Sequence, residues 1–189
     1  MSYDPIKAAQ VVAKLLRLSE AKALDAVKAV TLVYLCDREF ITCWGLPILD
    51  ENRVSMPHGP INFATYQHIN GQVGPVPTGW KKLLSNQANH MVGLTREAAD
   101  SNLDLLSRAE IETIEAVWGR FGHIDTWDLA LWTQQKENIP EWEYPGDLMR
   151  PILLATIMEA VGIEDPAEAC EAIEDNRRID ALFEEIRGH

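Results

Sequence analysis

The amino-acid sequence predicts a mainly α-helical fold, a single compact helical domain carrying a small antiparallel β element. Apolar residues recur at three- and four-residue steps through most of the chain. Recognisable helix starts precede several of these stretches, at Asp4-Pro5, at Ser107 with Glu110, and at Asp165-Pro166. Between Ile41 and Pro60 the chain is irregular and leaves room only for a short extended piece, and from Gly74 to Gly79 prolines and glycines again break the pattern.

In chain order, Asp4 caps a first helix in which Ile6, Ala9, Val12, Ala13 and Leu16 share one face as far as Leu18. A second helix from Leu24 to Glu39 carries Val27, Val30, Thr31, Tyr34 and Leu35 at helical steps. Leu32 and Val33 widen its apolar arc, which places it centrally in the core. A short extended piece is expected around Arg53 to Met56, and a helix after Pro60, over Ile61 to Ile69, ending at Asn70-Gly71. The stretch from Gly74 to Gly79 reads as a stiff loop leading to Trp80. His90 to Thr95 and Leu103 to Leu106 form the candidate strand pair. Ser107 to Glu110 has the capping-box form and opens a helix through Ile111, Ile114, Val117, Trp118 and Phe121, closed by Gly122. Asp125 or Thr126 caps the next helix, Pro140 breaks the pattern, and Arg150-Pro151 opens another to Val161. In the last helix Ala169, Cys170, Ile173, Leu182, Phe183 and Ile186 read as one apolar stripe among many acids.

At 189 residues, the chain is sized for one ordinary domain. The reading is residues 1–162 as that domain and 163–189 as an acidic C-terminal helix packed on it. No apolar run approaches the roughly 20 residues a spanning helix needs, and the N-terminus lacks a secretion pattern, so a cytoplasmic protein off the membrane is expected. Cys36, Cys43 and Cys170 are an odd, widely spaced set, read as reduced and mostly buried thiols. The net charge of −12 is uneven: +1 over residues 1–100, −6 over 101–158 and −7 over 159–189. Such a field repels phosphate and attracts a basic protein, so direct nucleic-acid binding is not expected.

The stretch Arg53-Val54-Ser55-Met56-Pro57-His58-Gly59-Pro60 frames one histidine with two prolines and a glycine. An imidazole titrates near neutrality and suits general acid–base work, with Asp37, Glu39 and Asp50 near in sequence. No nucleophile elbow or triad pattern accompanies it, so His58 reads first as a structural residue bonding backbone groups to lock its turn. The His58, His68 and His90 spacings are long, and the glycines at 71, 74 and 79 lack a following Lys-Ser/Thr pair, so neither a metal nor a nucleotide cofactor is expected. Asp37-Arg38-Glu39 offers an ion pair, buried or on the surface, and the arginine a brace for the proline turn. Of the six tryptophans, Trp118 lies on a helical stripe. Trp142, in Pro140-Glu141-Trp142-Glu143-Tyr144-Pro145, sits in a loop and reads as an interface residue.

Together, Tyr34-Leu35-Cys36-Asp37-Arg38-Glu39, the Ser55 to Pro60 turn, Gly79-Trp80, Leu106-Ser107, Trp127 with Leu131 and Trp132, and Pro140-Glu141-Trp142 resemble the Panacea (SocA-like) antitoxin domain. The resemblance covers roughly residues 5–160. It implies a mostly helical domain with a small sheet, the antitoxin half of a two-gene toxin–antitoxin system, without enzymatic activity. Such antitoxins mostly neutralise a cognate protein toxin by direct binding, and at least one branch delivers its toxin to a protease. On this reading Asp37, Arg38, Met56, Pro57, His58, Gly59, Pro60 and Trp127 hold the shared scaffold. Trp142, Glu141, Tyr144 and the acidic tail choose the toxin, encoded by a neighbouring gene. A homo-oligomer stays open, and a His58-dependent hydrolase is the reading from a different class. Thr133-Gln134 stands where relatives often read Thr-His, so no role of that histidine carries over.

Overall fold

The computed structural model describes residues 3–73, 78–87, 90–99 and 101–187. Helix α1 (Pro5–Leu18) begins where the Asp4 carboxylate accepts the Ile6 amide at 2.8 Å and the Lys7 amide at 3.3 Å. Val11, Val12, Leu15 and Leu16 are fully buried, where α1 packs on α2 (Ala26–Trp44) and α5 (Arg108–Phe121). Helix α2 is the central element, touching α1, α3 (Phe63–Ile69), α5, α6 (Thr126–Thr133) and α7 (Leu154–Ala160). It runs past the expected end at Glu39 because Phe40 and Ile41 keep its buried face going. It stops at Gly45, whose φ of 67° suits glycine and whose amide bonds to the Ile41 carbonyl at 2.8 Å.

Among the described residues, two three-stranded antiparallel sheets accompany the helices. In the first, β1 (Ala23–Asp25), β5 (Met91–Leu94) and β4 (Leu84–Gln87) lie in the order β1-β5-β4. The expected strand over His90 to Thr95 is therefore present, but not its expected partner. Leu103 to Leu106 forms no strand, and the Leu105 amide bonds instead to the Gln10 side chain of α1 at 2.9 Å. Of the loop expected from Gly74 to Gly79, residues 74–77 lie outside the described residues, whereas Thr78 and Gly79 are helical and open α4 (Thr78–Leu83).

The second sheet has the order β3-β2-β6, from β3 (Gly59–Asn62), β2 (Arg53–Met56) and β6 (Arg150–Ile152). Strand β2 was expected; β3 and β6 replace predicted helix starts. Pro60 and Pro151 each lie on an outer strand, opposite Ser55 and Val54 of the central one, where a missing amide need not break the ladder. The helices begin a few residues later, α3 at Phe63 (Phe63–Ile69) and α7 at Leu154 (Leu154–Ala160).

The capping box at Ser107 and Glu110 forms as read, with the Ser107 amide donating to Glu110 Oε2 at 2.7 Å. Asp125 caps α6 (Thr126–Thr133) through the Trp127 amide. The last helix, α8 (Pro166–Arg187), packs on α7, and Cys170 Sγ lies 3.7 Å from Met158 Sδ. Its apolar residues do not form the single stripe expected. Ile173 is buried, whereas Leu182 and Phe183 are exposed together with Ile179. Of the three free thiols Cys36 alone is buried; Cys170 is half-buried and Cys43 exposed. Among the described residues no helix is long and apolar enough to cross a membrane.

Candidate functional site

Asp37 sits on the apolar stripe of α2, in line with Val30, Val33, Tyr34 and Ile41, and is 1% exposed. A carboxylate buried there demands a cation and donors. Arg53, at the start of β2 and likewise buried, supplies them: its Nε lies 2.7 Å from Asp37 Oδ2. The same guanidinium donates to the carbonyls of Leu49 at 2.8 Å and Glu51 at 2.9 Å, and the Leu49 amide donates to Asp37 Oδ1 at 3.0 Å. The irregular chain between α2 and β2 is thus tied to the helix from both ends of one ion pair.

The network continues through Asn62, whose side-chain amide donates to Asp37 at 3.3 Å and to Glu51 Oε1 at 3.2 Å. Glu51 accepts the Thr65 amide at 2.8 Å and hydroxyl at 2.6 Å, in the first turn of α3. Burial lifts the Glu51 carboxyl to about 7; the Asp37 charge adds to the rise, and the Thr65 and Asn62 bonds oppose it.

A second buried cluster joins α2 to the segment after α6. Glu141 accepts the Tyr34 hydroxyl at 2.7 Å and Arg38 Nε at 2.6 Å, with Arg38 Nη2 at 3.3 Å from its other oxygen. Burial, and then the Glu141 charge, hold the Tyr34 phenol well above its ordinary range. Beside it, Trp142 Nε1 donates to the Met56 carbonyl at 3.1 Å, and the Glu143 amide donates to Ser55 Oγ at 3.3 Å. Residues 141–143 therefore clamp the hairpin from outside.

The hairpin turns at Pro57-His58, with Met56 paired to Gly59. Gly59 has φ of 120°, and a Cβ there would collide with the Thr133 hydroxyl. His58 is exposed at the tip. Among the described contacts its ring makes no hydrogen bond and lies edge-on to Trp127, centroids 5.4 Å apart at 74°. Trp127 and Leu131, one turn apart on α6, are each more than half exposed. A cleft of about 370 Å³ opens beside the turn, lined by Val27, Thr31, Met56, His58, Tyr66 and His90. Neither Asp37 nor Glu39 lines it, and Asp37 is committed to Arg53, so neither orients the His58 imidazole. Among the described residues no three His, Cys, Asp or Glu side chains gather as a metal site requires.

These positions redistribute the roles read from sequence. Trp142 and Glu141, expected to face a partner, are 6% and 7% exposed, because one bonds the hairpin and the other closes an ion pair. Tyr144 alone of that trio is open, at 65%. Asp37 and Arg38, adjacent in sequence, each find a distant partner, and the arginine bonded to turn carbonyls is Arg53, serving Leu49 and Glu51. His58 and Trp127, expected within the scaffold, form a surface pair. Sequence reading missed Arg53, Glu51, Asn62 and Thr65 as site residues. An acid on an otherwise apolar helical stripe was the available clue that a buried cation must lie elsewhere in the chain.

The family model described as antitoxin SocA-like, Panacea domain, matches residues 31–143. No curated protein matches the chain, and no solved structure does. The matched span contains both ion pairs, the hairpin and its clamp, ending beside Tyr144. With well over half its length matched, the chain belongs to the SocA-like Panacea domain family of antitoxins.

Proposed function

We propose that the protein is a non-enzymatic, cytoplasmic antitoxin that neutralises a cognate protein toxin, encoded by a neighbouring gene, by binding it directly. The family match over residues 31–143 carries this reading. Its support in the molecule is the division between a buried frame and an exposed exterior. The Asp37–Arg53 and Arg38–Glu141 pairs and the hairpin clamp are interior, and such a frame can be shared while the surface differs from one antitoxin to the next. Residues 1–162 form the proposed frame and 163–189 an acidic helix added to it. A surface of net charge −12 suits a basic toxin and would speed encounter more than it tightens the complex.

The test is co-expression of the two adjacent genes. Restored growth with co-purification of the two products at constant toxin abundance supports direct blocking. Restored growth with falling toxin abundance assigns the protein to protease delivery instead. Failure of this chain to relieve toxicity, or unaided turnover of a small substrate that disappears in His58→Ala, overturns the reading.

A further inference from the structure

Helix α8 lies outside the matched residues 31–143 and presents two different faces. The inner face is short. Ile173 is buried, Cys170 touches Met158, and Arg177 reaches the Asp50 carboxylate to close the attachment. The outer face is long. At about 100° per residue, Glu168, Glu171, Asp175, Ile179 and Leu182 follow one another at steps of three and four residues and form one strip, with Phe183 at its edge. All six are exposed, and Ile179, Leu182 and Phe183 leave 51%, 57% and 55% of their surface in solvent. The strip spans about 20 Å along the axis at about 1.5 Å per residue. Its first two turns are acidic and its last two are apolar. Arg178 borders it and bonds Asp175 at 3.1 Å.

A strip that served only solubility would stay acidic along its whole length, as the neighbouring positions Asp180, Glu184 and Glu185 do. Here three large apolar side chains face water together, on the side turned away from the body. From this we infer that the outer face of α8 is a docking strip for a groove on the toxin, with an apolar floor at one end and lysine or arginine on its rim at the other. The inference rests on the antitoxin reading and names the surface that would serve it.

Charge selects this occupant over the others. A second copy in parallel register would set acid against acid, and in full antiparallel overlap it would press carboxylates onto Leu182 and Phe183; an overlap of the apolar ends alone avoids both, but about one turn of each helix covers far less surface than a stable dimer buries. An anionic membrane surface repels the same carboxylates, whereas membrane-seeking helices carry basic residues beside their apolar face.

The experiment measures binding of the full chain to the purified product of the adjacent toxin gene, with sedimentation of the free protein alongside. The Ile179→Ser, Leu182→Ser, Phe183→Ser triple variant should bind at least about tenfold more weakly, through faster dissociation, while melting at the wild-type temperature because these side chains are already exposed. Ile179→Leu with Phe183→Leu should keep most of the affinity. Glu168→Gln, Glu171→Gln, Asp175→Asn should slow association several-fold at low salt. Wild-type affinity in the triple-serine variant would overturn the docking strip while leaving the antitoxin reading intact. A wild-type chain that neither binds nor neutralises the toxin removes both. A wild-type dimer dispersed by the serine substitutions, or binding to anionic vesicles that they abolish, reassigns the face and overturns the proposal.

Discussion

Arg38 and Glu141 meet across 103 residues of chain, guanidinium Nε to carboxylate Oε1 at 2.6 Å, with the Glu141 side chain wholly buried. The pair fastens the segment after α6 to the central helix, and through the neighbouring Trp142 it fastens the hairpin as well.

Removing the cation leaves Glu141 buried with, among the described residues, the Tyr34 hydroxyl alone to answer its charge. Arg38→Ala should therefore cost about 3 kcal/mol of stability, in the range for breaking one side of a buried pair. Glu141→Gln keeps the shape and one acceptor, so the double variant should lose clearly less than the sum of the two singles. Urea unfolding of the four proteins measures the coupling; strictly additive losses would show that the pair contributes nothing as a pair.

Glu51 gives the fold a pH dependence of unusual sign. Its carboxyl is lifted to about 7 from an ordinary value of 4.5. Between those values the folded protein keeps a proton that the unfolded chain has released, so this residue's contribution falls as pH rises through the window and levels off above about 7. The total effect is at most about 3 kcal/mol. Glu51→Gln removes the titration, so it should be close to neutral at about pH 5 and relatively more stable than wild type at about pH 8. Denaturant midpoints at the two pH values test this. A stability difference between the wild type and the Glu51→Gln variant that does not change with pH would refute it.

Gly59 faces both a backbone and a packing constraint. Its φ of 120° is unfavourable for any residue with a side chain, and Thr133 Oγ1 occupies the place of the added methyl. Gly59→Ala should lower stability by about 2 kcal/mol or more. Adding Thr133→Ala clears the collision but not the backbone strain, so thermal melting should recover only partly. Full recovery would mean that the strain is absent.

Helices whose starts are chemical were readable from sequence, because Asp4, Ser107 and Asp125 act on amides two or three residues away. Pro60 and Pro151 were misplaced for a physical reason: a proline at a helix start and a proline on an outer strand both occupy sites where no amide is needed. The overrun of α2 to Trp44 depends on burial of Phe40 and Ile41, which local pattern does not reveal. Least legible was the pairing of charges. Asp37 lies beside Arg38 in sequence yet bonds Arg53, and Arg38 bonds Glu141, because the tertiary fold decides which guanidinium reaches which carboxylate. Family motifs in turn mark positions without saying whether each faces inward.

Two tryptophans of the motif differ in just this respect. Trp127 is 55% exposed and lies in a T-shaped pair with an exposed imidazole, whereas Trp142 is 6% exposed and donates a hydrogen bond to the hairpin. Trp142→Ala should cost about 3–5 kcal/mol, as for a large aromatic removed from a packed interior, with the Met56 carbonyl losing its partner as well. Trp127→Ala and His58→Ala should each cost under about 1 kcal/mol, since an exposed edge-on pair has little burial to lose. Melting curves of the three variants give the order. A His58→Ala loss comparable to that of Trp142→Ala would restore the imidazole to the role of a brace, because an exposed ring can matter that much only if it holds the turn.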